Sequence, residues 1–328
     1  MKKKIALITG GYSGESVISY LSASTIEKNL DPEKWDYFKI DINPAGWNYL
    51  APGGNKFPVD KNDFSITVDG KKINFDAVLV SLHGTPGEDG KLQGYFDTLG
   101  LPYSSCDTAT SALTFNKRYT VAVAAFAGIN VAKSVHLFKD NPLTPAQVLQ
   151  ALKLPVFVKP NNGGSSIGMS KVKNAEDLQA ALDKAFKEDD QVLVEEFIKG
   201  RELTIGVFKH KGKVITLPIT EIIAKNEFFD YEAKYEGASD EITPAQVDEI
   251  VAEKIRDVAS KAYSIFNCKG IVRIDFIYDT DTDTPYMLEI NTVPGQSAAS
   301  LVPQQVQAMG WSLQQFYTAL IEECFYKK

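Results

Sequence analysis

The 328-residue sequence is poor in the two side chains that most often hold transition metals: it has three cysteines and three histidines. Cys106, Cys268 and Cys324 lie far apart, as do His83, His136 and His210, and no C-x-x-C or H-x-x-x-H spacing occurs. A Cys/His zinc centre is excluded on that ground, and a disulfide framework is not expected; scattered thiols fit a reducing compartment. Long apolar runs are missing too. The longest, Val121 to Ala127, falls far short of the roughly 20 residues of a membrane span. The apolar segment Ile5 to Ile8 behind Lys2, Lys3 and Lys4 is too short for the core of a secretory signal. A cytoplasmic protein with no membrane partner is therefore expected. Positive charge is not in excess: 35 Lys and Arg against 42 Asp and Glu give a net charge of −7, which argues against a nucleic-acid surface. There is no G-x-x-x-x-G-K-[ST], and Gly10-Gly-Tyr-Ser-Gly14 does not match G-x-G-x-x-G, so neither a P-loop nor a dinucleotide fingerprint is present.

What is present is an ordinary globular mixture, 44% hydrophobic and 23% charged, long enough for two or three domains. Strand-like runs at Ile5 to Ile8, Tyr37 to Ile40 and Ala77 to Leu82 alternate with helical segments, the pattern of an α/β domain with a mostly parallel sheet. An alanine-rich helix is expected from Ser111 to Ala127. Thr144-Pro145 predicts a helix start, and Asn174 a second cap. Strands are expected at 155–159, 191–196, 203–208, 214–219, 271–278 and 286–291. Glu227 to Glu241 reads as a long loop, and Thr243-Pro244 as the start of a helix carrying Val247, Ile255 and Ala262 on one face. The pattern resets near 105 and 200.

Side chains alternate across a strand, so Arg273 shares a face with Asp275, and Glu289 with Asn291, while Leu288 and Ile290 face away. A hairpin symmetric about Thr282 sets Asp275 opposite Glu289 and Arg273 opposite Asn291. Opposed carboxylates repel, so a cation belongs between them. Spacing alone admits two readings: a solvated face neutralised by Arg273, or an oxygen-ligand Mg²⁺ site. The segment Lys159-Pro-Asn-Asn-Gly-Gly-Ser-Ser-Ile-Gly-Met169 is either an empty glycine-rich turn or a cradle whose N–H groups bind phosphate. His83-Gly-Thr-Pro-Gly-Glu-Asp-Gly90 and Glu15 follow strand ends, where open α/β sheets bind ligands. Asp230-Tyr-Glu-Ala-Lys-Tyr235 lies in the long loop, as a lid or as exposed chain.

In this order, these motifs, with Gly100-Leu-Pro-Tyr-Ser104, Glu195 to Glu202, Glu289 to Gly295 and Ser300-Leu-Val-Pro303, resemble the D-alanine:D-alanine ligases of the ATP-grasp superfamily over nearly the whole chain. The resemblance implies a three-domain α/β architecture, with an N-terminal parallel α/β domain (1–104) and two α+β domains (105–198 and 199–328) enclosing ATP. It implies ATP-dependent synthesis of D-alanyl-D-alanine for peptidoglycan through a D-alanyl phosphate, with a D-lactate or D-serine acceptor as the alternative. By similarity, Glu15, Ser165 and Tyr235 bind the ammonium of the first D-alanine, with His83 nearby. Lys117, Lys159 and Lys234 hold ATP phosphates; Glu195, Phe197 and Ile198 flank adenine, and Glu202 the ribose. Asp275, Glu289 and Asn291 ligate two Mg²⁺, or Mn²⁺. Arg273 and the Gly295 N–H stabilise the oxyanion, and Ser300 with Leu301 anchors the second carboxylate. Members are commonly homodimers. Val17, Asn161-Asn162-Gly163 and Gln296 depart from the usual pattern, and Gln296 lies next to the expected acceptor pocket.

Overall fold

The computed structural model describes residues 2–164, 167–224 and 239–326, so the expected sites Ser165, Lys234 and Tyr235 lie outside the described residues. The first sheet is built from β1 (Lys3–Gly10), β2 (Trp35–Asn43), β3 (Gly46–Leu50), β4 (Lys56–Asp60), β5 (Ser65–Val68), β6 (Lys71–Ile73) and β7 (Ala77–Val80), in the order β6-β5-β4-β3-β2-β1-β7. Only β2, β1 and β7 run parallel; the other pairings are antiparallel. The parallel α/β unit is thus three strands wide, and the meander that widens it lies in a stretch whose short, mixed runs carry little periodicity. Ile5, Ala6, Leu7 and Ile8 of β1 are all fully buried, because a central parallel strand is covered on both faces. Ile5 and Leu7 enter one apolar cluster, Ala6 and Ile8 another.

The second sheet is antiparallel: β8 (Ser134–Phe138), β9 (Val156–Pro160), β10 (Ser170–Val172) and β11 (Gln191–Glu196), ordered β10-β9-β11-β8. The single alanine-rich helix expected before it is two helices, Thr108–Phe115 and Lys117–Phe126. Asn116 leaves helical geometry (φ −98°, ψ 105°) and its side chain accepts from the Tyr119 N–H, capping the second helix. Lys117 becomes the first residue of that helix. Thr144 forms the predicted cap, a reciprocal box with Gln147. Asn174 does not cap: a 3-10 turn, Ala175–Asp177, precedes the helix Leu178–Glu188, and Asn174 donates to the Asp177 carboxylate instead.

The third sheet contains β12 (Arg201–His210), β13 (Lys213–Thr216), β14 (Thr220–Ala224), β15 (Ser239–Ile242), β16 (Val272–Asp279) and β17 (Thr284–Asn291), ordered β15-β14-β12-β16-β17 with β13 on β12. The end of the expected loop is therefore a strand, Ser239–Ile242; 225–238 lie outside the described residues. The helix expected from Thr243-Pro244 starts later, at Glu249, and runs to Ile265. The helices Leu301–Ala308 and Leu313–Cys324 follow. Phe316 and Tyr317 of the last helix share a cluster with Ile5, Leu7 and Ala77, joining the last third of the chain to the first sheet. Among the described residues no helix is long and apolar enough to cross a membrane.

The turn leading into β16 is as tightly joined to the first third. Gly270 has φ +62°, and a Cβ there would lie 1.8 Å from the Ser104 carbonyl oxygen. Gly270→Ala adds left-handed backbone strain to overpacking and should cost at least about 2 kcal/mol, lowering the denaturant midpoint; an unchanged midpoint would refute this contact.

Candidate active site

A cleft of about 850 Å³ opens among the three sheets, and each expected site residue that is described lines it. It gathers groups from the end of β1 through to the helix Leu301–Ala308, nearly 300 positions apart in the chain.

Its floor is the β16–β17 hairpin. Asp275 pairs with Glu289 and Arg273 with Asn291, as the spacing predicts. Beyond them the register slips: Phe276 faces Met287, because a bulge leaves Leu288 without a partner. Leu288 consequently lines the cleft with Glu289 rather than facing away. Arg273 grips Asp275 through two parallel bonds, Nε to Oδ1 at 2.8 Å and Nη2 to Oδ2 at 2.7 Å. Asn291 Nδ2 donates to Oδ2 at 3.1 Å, and the hydroxyl of Thr204, opposite Asp275 on β12, donates to Oδ1. Burial works against the Arg273 charge, but Asp275, then Glu289 and Glu88, hold its pKa above the ordinary guanidinium value. The donor set is hard oxygen throughout, two carboxylates and an amide, with a guanidinium already seated as cation on one of them. These residues fit a divalent cation such as Mg²⁺.

Beside the floor, Lys159 on β9 meets Glu195 on β11 at 2.5 Å, and both side chains are largely buried. Burial opposes the ammonium charge; Glu195, with Glu289 and Glu202 behind it, more than offsets this and raises its pKa. Lys117 Nζ donates to the Gly163 carbonyl at 2.7 Å, closing the glycine-rich turn against the start of its helix. At the apolar end, the Phe197 ring packs on Phe157, with Lys171 Nζ 3.9 Å from its centroid.

The opposite end is built around Glu15, beyond the carboxyl end of β1. A Cβ on Gly84 would come within 2.5 Å of Glu15 Oε2, and one on Gly164 within 2.7 Å of Oε1. Two glycine turns therefore close on one carboxylate. His83 is buried, its Nε2 3.0 Å from Ser22 Oγ. Burial, then the charge of Arg273, pulls its pKa down to about 4 despite a backbone hydrogen bond to Val293, so the imidazole is neutral at pH 7. Ser300 occupies the cap position of the helix Leu301–Ala308 without capping it; its hydroxyl pairs with that of Ser297 at 2.8 Å, beside Gly295. Gln296 does not line the cleft: it is buried behind it, with Nε2 donating to the Pro294 carbonyl and Oε1 accepting from the Tyr317 hydroxyl.

Two site residues are not found by sequence patterns. Thr204 carries a usable signal, lying two positions after Glu202 on the same strand face. Glu88 stands inside a motif conspicuous for its histidine. Its Oε2 accepts from the Gly84 N–H at 2.6 Å and its Oε1 from the Val293 N–H at 3.3 Å. Burial, then the Glu15 charge, pushes its pKa well above the carboxylate range, with the two backbone bonds and Arg273 opposing.

The family model described as D-ala D-ala ligase N-terminus matches residues 4–106, and the one described as D-ala D-ala ligase C-terminus matches 116–322. A D-alanine--D-alanine ligase from Flavobacterium johnsoniae is 48% identical over 320 residues, 98% of each chain. One from Phocaeicola vulgatus is 46% identical, covering 99% of this chain and 100% of the relative. Among solved structures, the VanG D-Ala:D-Ser ligase from Enterococcus faecalis superposes with a TM-score of 0.90 at 32% identity, covering 99% of this chain and 100% of the other. The Bacillus anthracis D-alanine--D-alanine ligase complexed with ATP gives 0.78 at 27%, covering 98% and 97%.

The buried Glu88 has a pH signature. A carboxyl whose folded pKa lies above its unfolded value contributes stability that is fully present below the unfolded pKa, near 4.5, and lost as pH rises through the folded one. Glu88→Gln cannot ionise. Between pH 5 and pH 9, in the absence of ligands, its stability should gain on that of the wild type, by about 1.4 kcal/mol for each pH unit that separates the folded from the unfolded pKa. Parallel stability curves in urea titrations would contradict the assignment.

Proposed function

Because the chain belongs to the D-alanine:D-alanine ligase family, we infer that it is an ADP-forming ligase that uses ATP to join two D-alanines into D-alanyl-D-alanine through a D-alanyl phosphate, supplying a peptidoglycan precursor. The observation that carries this reading is the meeting, in one cleft, of the Arg273/Asp275/Glu289/Asn291 hairpin with Lys117 and Lys159 on one side and Glu15 and His83 on the other.

The carboxylate of D-alanine is a poor electrophile, and transferring the γ-phosphoryl group onto it creates a phosphate leaving group. Glu15, with Ser165 and Tyr235, holds the ammonium of the first D-alanine. Glu195, Phe197 and Ile198 receive adenine, and Glu202 the ribose. Lys117, Lys159 and Lys234 hold the phosphates and neutralise charge as it shifts towards the leaving ADP. Asp275, Glu289 and Asn291 would hold two Mg²⁺ or Mn²⁺ ions; such ions supply charge neutralisation at the phosphate oxygens when bound. The amine of the second D-alanine, its carboxylate on Ser300 and Leu301, then attacks the acyl carbon. The developing oxyanion faces Arg273 and the Gly295 N–H, phosphate departs, and the amine gives up its proton. Water competes for an acyl phosphate, so closure over the site protects the intermediate.

The second reading, a D-serine or D-lactate acceptor, draws on the likeness to the D-Ala:D-Ser ligase. The full-length relatives at 41–48% identity carry the D-alanine--D-alanine name and favour D-alanine as the acceptor. We also propose three domains divided near 104 and 198. A cytoplasmic setting suits the free cysteines, and a homodimer suits the exposed Val17, Tyr20 and Leu21 on one helix.

ADP release should require D-alanine and a divalent cation together, with D-alanyl-D-alanine as the product when D-alanine, D-serine and D-lactate compete; turnover that needs another amino or hydroxy acid sinks the assignment. Arg273→Ala should lower kcat by about 10²- to 10³-fold, the scale of losing one oxyanion donor, with ATP affinity in calorimetry largely kept.

A further inference from the structure

The turn Val293–Gln296 follows β17 and carries Gly295, yet two of its backbone N–H groups are bound by the first third of the chain. The Val293 N–H donates to Glu88 Oε1 at 3.3 Å, and the Gln296 N–H donates to Ser22 Oγ at 3.0 Å. Pro294 has no N–H. Among the described residues no hydrogen bond is made by the Gly295 N–H, so it is the one donor of the turn left for a ligand. The anchors are themselves fixed. Ser22 is fully buried on the helix Ser16–Asn29 and, having accepted from Gln296, has its own proton for Nε2 of the neutral His83. The neighbouring Ser19 Oγ accepts from the His83 N–H at 2.9 Å. Glu88 reaches back to its own loop at Gly84.

We propose that Ser22 and Glu88 are positioning residues that hold the Val293–Gln296 turn against the first sheet's helix and loop, so that the Gly295 N–H alone is presented to the oxygen of the reacting acyl group. The proposal rests on the oxyanion role read for Gly295 above. Preorganised donors cost no reorganisation when charge develops, and a turn freed at either end loses that advantage. The effect falls on attack by the second amine, where the oxyanion forms, and not on phosphoryl transfer, which takes place at the γ-phosphorus.

The two steps can be read separately. Scrambling of ¹⁸O between the bridging and non-bridging positions of ATP, in the presence of D-alanine, reports acyl phosphate formation and return; dipeptide release reports both steps. In Ser22→Ala, which removes one oxygen atom, dipeptide formation should fall at least tenfold while isotope exchange is retained or rises, and KM for ATP is unchanged. Glu88→Gln, which replaces one acceptor oxygen, should move the two readouts apart in the same sense. A proportional fall in both, or no fall in either, overturns the proposal. Failure of the ligase reading itself is distinguished by the wild type, which would then show no D-alanine-dependent ADP release or exchange at all.

Discussion

The opposition of Asp275 and Glu289 across two antiparallel strands is the constraint around which the cleft is arranged. Two acids facing each other in a partly buried sheet are unfavourable alone, and the chain places buried cations beside them. Arg273 is held on Asp275 by paired hydrogen bonds, and Lys159 is held charged by Glu195 with Glu289 behind it. The acids of the cleft therefore fix where positive charge gathers: Asp275 holds the Arg273 guanidinium and Glu195 the Lys159 ammonium, with Glu289 behind both. An acidic chain of net charge −7 thus contains a pocket suited to a polyanionic nucleotide, since local arrangement rather than overall balance sets the field a ligand meets.

Much of the site is legible without the fold, and the reasons differ from residue to residue. Period-two alternation puts Arg273 with Asp275 and Glu289 with Asn291. Their cross-strand pairing follows from counting outward from Thr282, and two departures cancel in that count: the turn is centred half a residue earlier, since Asp279 faces Thr284, and the bulge at Leu288 restores the missing residue. Nothing in the local composition announces that bulge, so alternation alone places Leu288 on the wrong face. Asn116 does carry a signal, being a capping residue inside an alanine-rich run, yet the run itself outweighs it. Glu88 and Ser22 are illegible for a deeper reason. Their partners, Val293 and Gln296, are more than 200 positions away, and long-range pairing of a side chain with a backbone N–H leaves no periodic trace.

The architecture explains how residues so distant act together. The first sheet is not a separate body attached to the rest of the chain: Phe316 and Tyr317, near the end of the chain, lie in the same apolar cluster as Ile5 and Leu7 near its beginning, and Gly270 abuts Ser104. Glu15 and Gly295 can consequently line one cleft with fixed geometry, as the proposed reaction requires. The second sheet, carrying Lys159 and the glycine-rich turn, has its own apolar cluster, Leu137, Val158 and Leu182 among its members.

The unpaired Leu288 has a consequence for engineering. It sits between the acids and the tip of the hairpin, so strand pairing at the floor of the cleft and pairing near the tip are in different registers on the same two strands. The bulge fixes that change of register: the exposed turn beyond it, Thr280 to Asp283, follows a different pairing count from the residues that oppose the carboxylates. That tip is where the chain can be cut for circular permutation or lengthened to carry a label, leaving the floor of the cleft in place.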